Sequence, residues 1–256
     1  MADLVRELVL EIAVQDVAGA RAAVDAGAQR LELCTALAAT GGLTPGVGLL
    51  EAVLDAVRPA GVGVHVLVRS RPGGFVHASD EVDVLVREVR AAVRCGADGV
   101  VVGMLTRDGR VDADALEACV AAASGAQVTF HRAFDVLGPD ERALAEAVDT
   151  LVGHGVTRVL TSGGAARAGD GLERLARTVA LADGRLEVMA GGGVLVGHVP
   201  AIVATGADAV HLSASRLVVD DGGPGAGPGG GADAGWTTTD PDVVAAARTA
   251  LEAARR

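Results

Sequence analysis

The sequence predicts a single (β/α)8 barrel occupying residues 1–256, and three observations carry that prediction. The chain is 256 residues long and 50% hydrophobic, which suits one large α/β domain with an ample core. Short runs rich in Val, Ile and Leu alternate with helical stretches rich in Ala, Leu and charge. A glycine recurs where helices close ahead of strands, the left-handed position that turns a chain back on itself.

In order, the strand-like runs are 8–14, 30–35, 62–69, 99–105, 127–134, 158–163, 186–190 and 209–215. Gly99-Val100-Val101-Val102 shows the near-continuous apolar character of parallel strands covered on both faces. Asp25-Ala26-Gly27-Ala28 punctuates the chain before the second run, and Arg94-Cys95-Gly96-Ala97-Asp98 before the fourth. Gly153-His154-Gly155-Val156 and Ala204-Thr205-Gly206-Ala207-Asp208 do the same before the sixth and eighth. A doubly wound open sheet would want G-x-G-x-x-G after its first strand, and Gln15-Asp16-Val17-Ala18-Gly19 is not that motif. Segment 220–235 is Gly/Pro-rich and reads as a loop on the C-terminal face, either a lid or a neutral insertion. Beyond it, Asp240 and Pro241 read as the N-cap and first residue of the last helix.

Composition removes several classes of function. A formal net charge of -11 and 2% aromatics leave neither a basic face nor stacking platforms for nucleic acid. The chain contains no lysine, so a Schiff-base lysine and a Walker-type phosphate lysine are both excluded, and neither PLP nor a nucleotide is expected. Cys34, Cys95 and Cys119 show no paired spacing, as expected of reduced thiols in a cytoplasmic protein. Met1-Ala2-Asp3-Leu4 lacks the basic start of a signal peptide, and no apolar stretch reaches the roughly 20 residues of a membrane span.

In a barrel, alternate strand residues face inward and sites form at the C-terminal strand ends. Sorted by parity, the runs offer Glu11, then Glu32 and Cys34, His65 and Arg69, Thr129 and His131, Thr161, and His211 with Ser213 and Ser215. They are expected to form one inward polar layer. Glu11, Glu32, His65, His131 and Asp135 are the candidates for acid–base chemistry. Arg69, Arg71 and Arg132 can clamp a carboxylate or phosphate. Thr161, Ser162 and Gly163, Gly191 and Gly192, and His211 and Ser213 complete the candidate substrate site, where glycine turns can present backbone N–H groups to phosphate. A barrel whose inward charges are merely paired, with no open cavity, is the structural alternative.

Several of these segments are shared with a known family. Arg30-Leu31-Glu32-Leu33-Cys34, Gly41-Gly42-Leu43-Thr44-Pro45, Thr129-Phe130-His131-Arg132-Ala133-Phe134-Asp135, Leu160-Thr161-Ser162-Gly163-Gly164, Ala190-Gly191-Gly192-Gly193 and Val210-His211 run in family order through most of the chain. On them the sequence resembles the CutC copper homeostasis family. The resemblance implies a cytosolic barrel, a homo-oligomer (dimer or tetramer), with copper as partner. Copper(I) favours thiolate and imidazole ligands, which makes Cys34 and His65 the metal candidates. The second function the residues suggest is an enzyme acting on a small phosphorylated or carboxylated metabolite. The chain departs from the family pattern at Gly74, where an acidic residue is usual, and in the enlarged loop at 220–235.

Overall fold

The eight runs become the eight strands of a closed parallel barrel in a computed structural model, which describes residues 8–138, 140–219 and 235–254. The strands are β1 (Val9–Val14), β2 (Arg30–Leu33), β3 (Gly63–Leu67), β4 (Gly99–Val102), β5 (Gln127–Phe130), β6 (Arg158–Thr161), β7 (Glu187–Gly191) and β8 (Ala209–Leu212). Each pairs with its sequence neighbour, and β8 closes on β1 with His211 beside Glu11. Helices α1 (Val17–Asp25), α2 (Leu37–Thr40), α3 (Val47–Val57), α4 (Ser79–Cys95), α5 (Ala113–Ala123), α6 (Glu141–Gly153), α7 (Leu172–Ala182), α8 (Val199–Val203) and α9 (Pro241–Ala254) complete the chain. Among the described residues no helix is long and apolar enough to cross a membrane.

Several strands end earlier than their sequence runs. β5 stops at Phe130 because His131 caps a 3-10 turn over Arg132–Val136, its Nδ1 accepting the Ala133 N–H at 3.0 Å. The last run divides, and Ser215 opens a new strand instead of continuing β8. That strand, β9 (Ser215–Val219), pairs antiparallel with β10 (Gly235–Thr239), so Gly235, expected in the loop, opens a paired strand instead. The hairpin is tied to the mouth of the barrel: Gln15 donates to Thr237 Oγ1 at 2.7 Å, and Thr238 donates to the Asp16 carboxylate at 2.9 Å. The expectations for the N-terminus, at residues 1–4, and for the rest of segment 220–235 lie outside the described residues.

Parity builds two shells. Leu10, Ile12, Val64, Val66, Val100, Val102, Val128, Phe130, Val188 and Val210 face outward and form the continuous core beneath the helices. Inward positions carry only two small apolar clusters, Cys34 with Leu67 and Val101, and Leu160 with Met189 and Ala209. Most of the other inward positions are polar or glycine: Glu11, Arg30, Glu32, His65, Gln127, Thr129, Arg158, Glu187 and His211, with Gly99 and Gly191 between them.

The recurring punctuation has a second purpose besides the helix stop. Gly27, Gly96, Gly155 and Gly206 all adopt positive φ, as predicted (100, 96, 74 and 85°). The residue just ahead of each even-numbered strand then accepts a backbone N–H from the odd-numbered strand before it. Gln29 takes that of Leu10 (3.1 Å), Asp98 that of Val64 (2.8 Å), Thr157 that of Val128 (3.3 Å) and Asp208 that of Val188 (2.7 Å). Each supplies a partner for a donor at the bottom of the barrel. Asp98→Ala and Asp208→Ala should each lower the unfolding free energy in urea by about 1 kcal/mol, and the double variant by about the sum. Wild-type stability in both variants would show that water substitutes for these carboxylates.

Candidate active site

The site is built on a carboxylate that is expensive to bury. Glu11, on β1, is 1% exposed, and an unpaired charge there would cost several kcal/mol. Two partners offset that cost. Arg30 Nε donates to one oxygen, and His211 Nδ1 lies 2.8 Å from the other. Arg30 is held in turn by Glu187 at 3.1 Å, and Glu187 also meets Arg158 Nε at 2.6 Å. Arg158 donates to Thr129 Oγ1 and to Gln127 Oε1, both at 3.0 Å, and stands 3.5 Å from His65 Nδ1. A buried ionic network thus fills the N-terminal half of the barrel.

Above it opens a cavity of about 320 Å³ at the C-terminal strand ends, which rules out the alternative with paired charges and no open space. Its polar walls are Glu32, Arg69, His131, Arg132, His211 and Ser213, with Gly192 and Gly193 at the rim; Leu37, Leu67, Phe75, Leu160 and Leu212 supply the apolar part. Phe75 stands between Arg69 (5.7 Å to the ring) and His131 (ring centroids 5.0 Å apart). Strand β4 and the residue after it make room for imidazoles. A Cβ on Gly99 would lie 2.7 Å from the His65 ring, and one on Gly103 would lie 2.1 Å from that of His131.

The remaining predicted residues stand around this cavity rather than in one layer. His65 lies below, in the ionic network. Asp135 sits behind Arg132, accepting from its Nε at 2.7 Å, from Thr161 Oγ1 at 2.6 Å and from the Ser162 amide at 2.9 Å. Thr161 shares the outward parity of Val159, so its expected inward placement is corrected: it anchors Asp135. Gly163 closes a loop elsewhere, since a Cβ there would meet the Gly171 carbonyl oxygen at 2.2 Å, and Gly191 fits between Leu160 and His211. Arg71 turns away from the cavity to pair with Glu81. Arg69 is occupied by carbonyl oxygens, those of Thr40 (2.8 Å), Gly42 (3.1 Å) and Gly73 (3.1 Å). Cys34 packs against Leu67 and Val101 with its Sγ 3.7 Å from the Val14 carbonyl oxygen. The parity reading missed Arg30, Gln127, Arg158 and Glu187. Arg30 and Gln127 begin their strands on the parity of Glu32 and Thr129, which is the available signal for them; Arg158 stands on the opposite parity to Thr161, so the phase error at β6 hides it.

Burial and charge set the protonation of the walls. Burial opposes the Glu11 charge, but Arg30 and then His211 outweigh it and hold this carboxyl well below the usual range. Burial also opposes a charged His211, yet Glu32 and Glu11 raise its pKa. Glu32 lies 3.7 Å from His211 Nε2; burial pushes its carboxyl up to about 7, with the Glu11 charge adding to the rise and His211 opposing it. Burial pushes His131 down to about 3, helped by Arg69, so its ring is neutral. With Nδ1 accepting from the Ala133 amide, the His131 proton resides on Nε2. Burial, offset in part by Glu11, brings His65 to about 4.

A model of the CutC family matches residues 8–216. A family protein CutC of Agrobacterium fabrum is 40% identical over 247 residues, covering 96% of this chain and 95% of that one. Its counterpart in Xylella fastidiosa strain Temecula1 is 43% identical over 210 residues, 82% of this chain and 76% of the relative. Among solved structures, a candidate copper homeostasis protein CutC from Streptococcus agalactiae superposes with a TM-score of 0.75 at 29% identity, covering 81% of this chain and 99% of that one. Thiamine phosphate pyrophosphorylase from Pyrococcus furiosus superposes with a TM-score of 0.59 at 16% identity, covering 98% and 99%, and shares the fold alone.

The raised Glu32 pKa makes a prediction about stability. Between the ordinary value of 4.5 and about 7, the folded chain keeps a proton that the unfolded chain releases. Stability from this group is therefore present at low pH and lost as pH rises through that window. In urea titrations at a series of pH values, Glu32→Gln should gain on the wild type as pH rises from 4.5 to about 7. Parallel curves would show that Glu32 ionises as in the unfolded chain.

Proposed function

The chain belongs to the CutC family, and from that premise we propose that its barrel is an acid–base catalyst acting on a small anionic metabolite. One observation carries the proposal. Glu32, a buried carboxyl raised to about 7, opens onto the same cavity as Arg69 and Arg132. A group poised near the working pH exchanges protons most effectively, because both of its forms are populated. His211, whose pKa Glu32 and then Glu11 raise against burial, can stabilise negative charge that develops beside Glu32. Neutral His131 offers an Nε2–H donor, Arg69 and Arg132 attract and orient the anion, and Phe75 with the leucines excludes water.

The Streptococcus agalactiae relative is named for copper homeostasis. Here the donor set fits copper(I) as cargo poorly. Burial, reinforced by Glu32, pushes the Cys34 thiol pKa up, away from the thiolate that copper(I) binds. His65 belongs to the network below the cavity, at 3.5 Å from Arg158. Among the described residues no group of three or more His, Cys, Asp or Glu side chains is placed to hold a metal ion.

Proton exchange with solvent tests the catalytic reading without a known substrate. The protein is incubated in D2O with small oxo and hydroxy acids and their phosphate esters, and loss of carbon-bound proton signal is followed by NMR. Wild type should exchange at least one probe, and Glu32→Gln should slow that exchange about a hundredfold or more. Exchange of no probe, or equal rates in the two proteins, would overturn the proposal.

A further inference from the structure

Building on the acid–base reading, we infer that the anion this cavity takes is a phosphate group, the head of a small phosphate monoester, seated between Arg132, the turn 192–194 and Ser213. Three consecutive glycines, the last residue of β7 and the two that follow it, let backbone approach where a side chain would obstruct it. Gly192 and Gly193 both adopt positive φ (104 and 57°), and a Cβ on Gly192 would lie 2.6 Å from Arg132 Cζ. The guanidinium therefore rests directly on the turn. Asp135 fixes its Nε at 2.7 Å and Ser162 its Nη2 at 3.2 Å, which leaves Nη1 as the donor for a ligand.

The turn itself is oriented by a neighbouring loop. The Gly192 carbonyl accepts the Ala168 N–H at 2.8 Å. In a trans peptide the following N–H points the opposite way, so that of Gly193 is directed away from the Ala168 loop. Ser213, on the next strand's loop, is exposed on the same cavity wall. Arg132, Gly193 and Ser213, from the loops of three strands, line the same cavity, and each carries a donor (Nη1, the amide and the hydroxyl). A tetrahedral phosphate presents oxygens in three directions, whereas a carboxylate presents two in one plane. Across the cavity Arg69, held by the Thr40, Gly42 and Gly73 carbonyl oxygens, adds positive charge for a dianion. Glycine turns after the seventh and eighth strands are a common phosphate seat in barrels of this kind.

Calorimetric titration of the full chain with inorganic phosphate, and with acetate at equal ionic strength, tests the inference. Phosphate should bind saturably and more tightly than acetate. Arg132→Lys and Ser213→Ala should each weaken phosphate about tenfold, the loss of one hydrogen bond to a charged group. Ser213 is exposed, so its variant keeps the test readable if Arg132→Lys fails to fold. Glu32→Gln should still bind phosphate. Acetate binding as tightly as phosphate, or wild-type phosphate affinity in both variants, would overturn the inference. Acetate binding without phosphate binding, while D2O exchange remains dependent on Glu32, would remove the phosphate class and leave the catalytic reading standing. Phosphate binding with no exchange of any probe would support the phosphate seat and remove the catalytic reading instead.

Discussion

Everything at the mouth of this barrel depends on the Glu11 carboxylate, buried between Arg30 and His211. Burial alone would neutralise it, and Arg30 prevents that from one side. From the other side burial lowers the His211 pKa, and Glu32 and then Glu11 raise it above the ordinary value. The imidazole faces Glu32, where burial and the Glu11 charge favour the neutral acid and His211 favours the carboxylate. Burial prevails over His211, and the Glu32 pKa rises to about 7. The same ionic chain continues through Arg30, Glu187 and Arg158 to the bottom of the barrel, so the poised acid is supported by the whole interior.

Space is governed as tightly as charge. An imidazole pointing into a small barrel needs a neighbouring strand without a side chain, and Gly99 and Gly103 supply that beside His65 and His131. Gly192 does the same for Arg132. These glycines have nothing chemical to offer, yet each decides whether an imidazole or a guanidinium can occupy its place. The Asp135 carboxylate completes the arrangement by joining Arg132 to the β6 loop through Thr161 and Ser162.

Much of this is legible in the sequence. The strand runs and the glycine stops determine the barrel, because both follow from local backbone preference and a two-residue alternation. Parity also identifies Glu32, His131 and His211 as inward. What parity cannot provide is depth along the barrel axis, because shear between strands places residues of equal parity at different heights. Glu11 and His65 therefore lie beneath the cavity that Glu32 helps to line. Thr161 was misplaced because a one-residue error in phase moves a side chain to the opposite face. Arg30 and Arg158 were passed over as strand openings, although a buried arginine at the floor of a barrel is what two inward glutamates require. The β9–β10 hairpin escaped notice because its strands pair only with each other across a long glycine-rich insertion.

Glu32 and Glu11 together raise the His211 pKa above that of a free imidazole. An NMR pH titration of imidazole-labelled protein, with the His211 signals assigned by their loss in His211→Asn, tests it directly. His211 should hold protons on both ring nitrogens above its ordinary pKa of 6.5, while His65 and His131 stay neutral down to about 4 and about 3. A His211 that titrates at or below 6.5, or whose pKa does not fall in Glu11→Gln, would contradict the account.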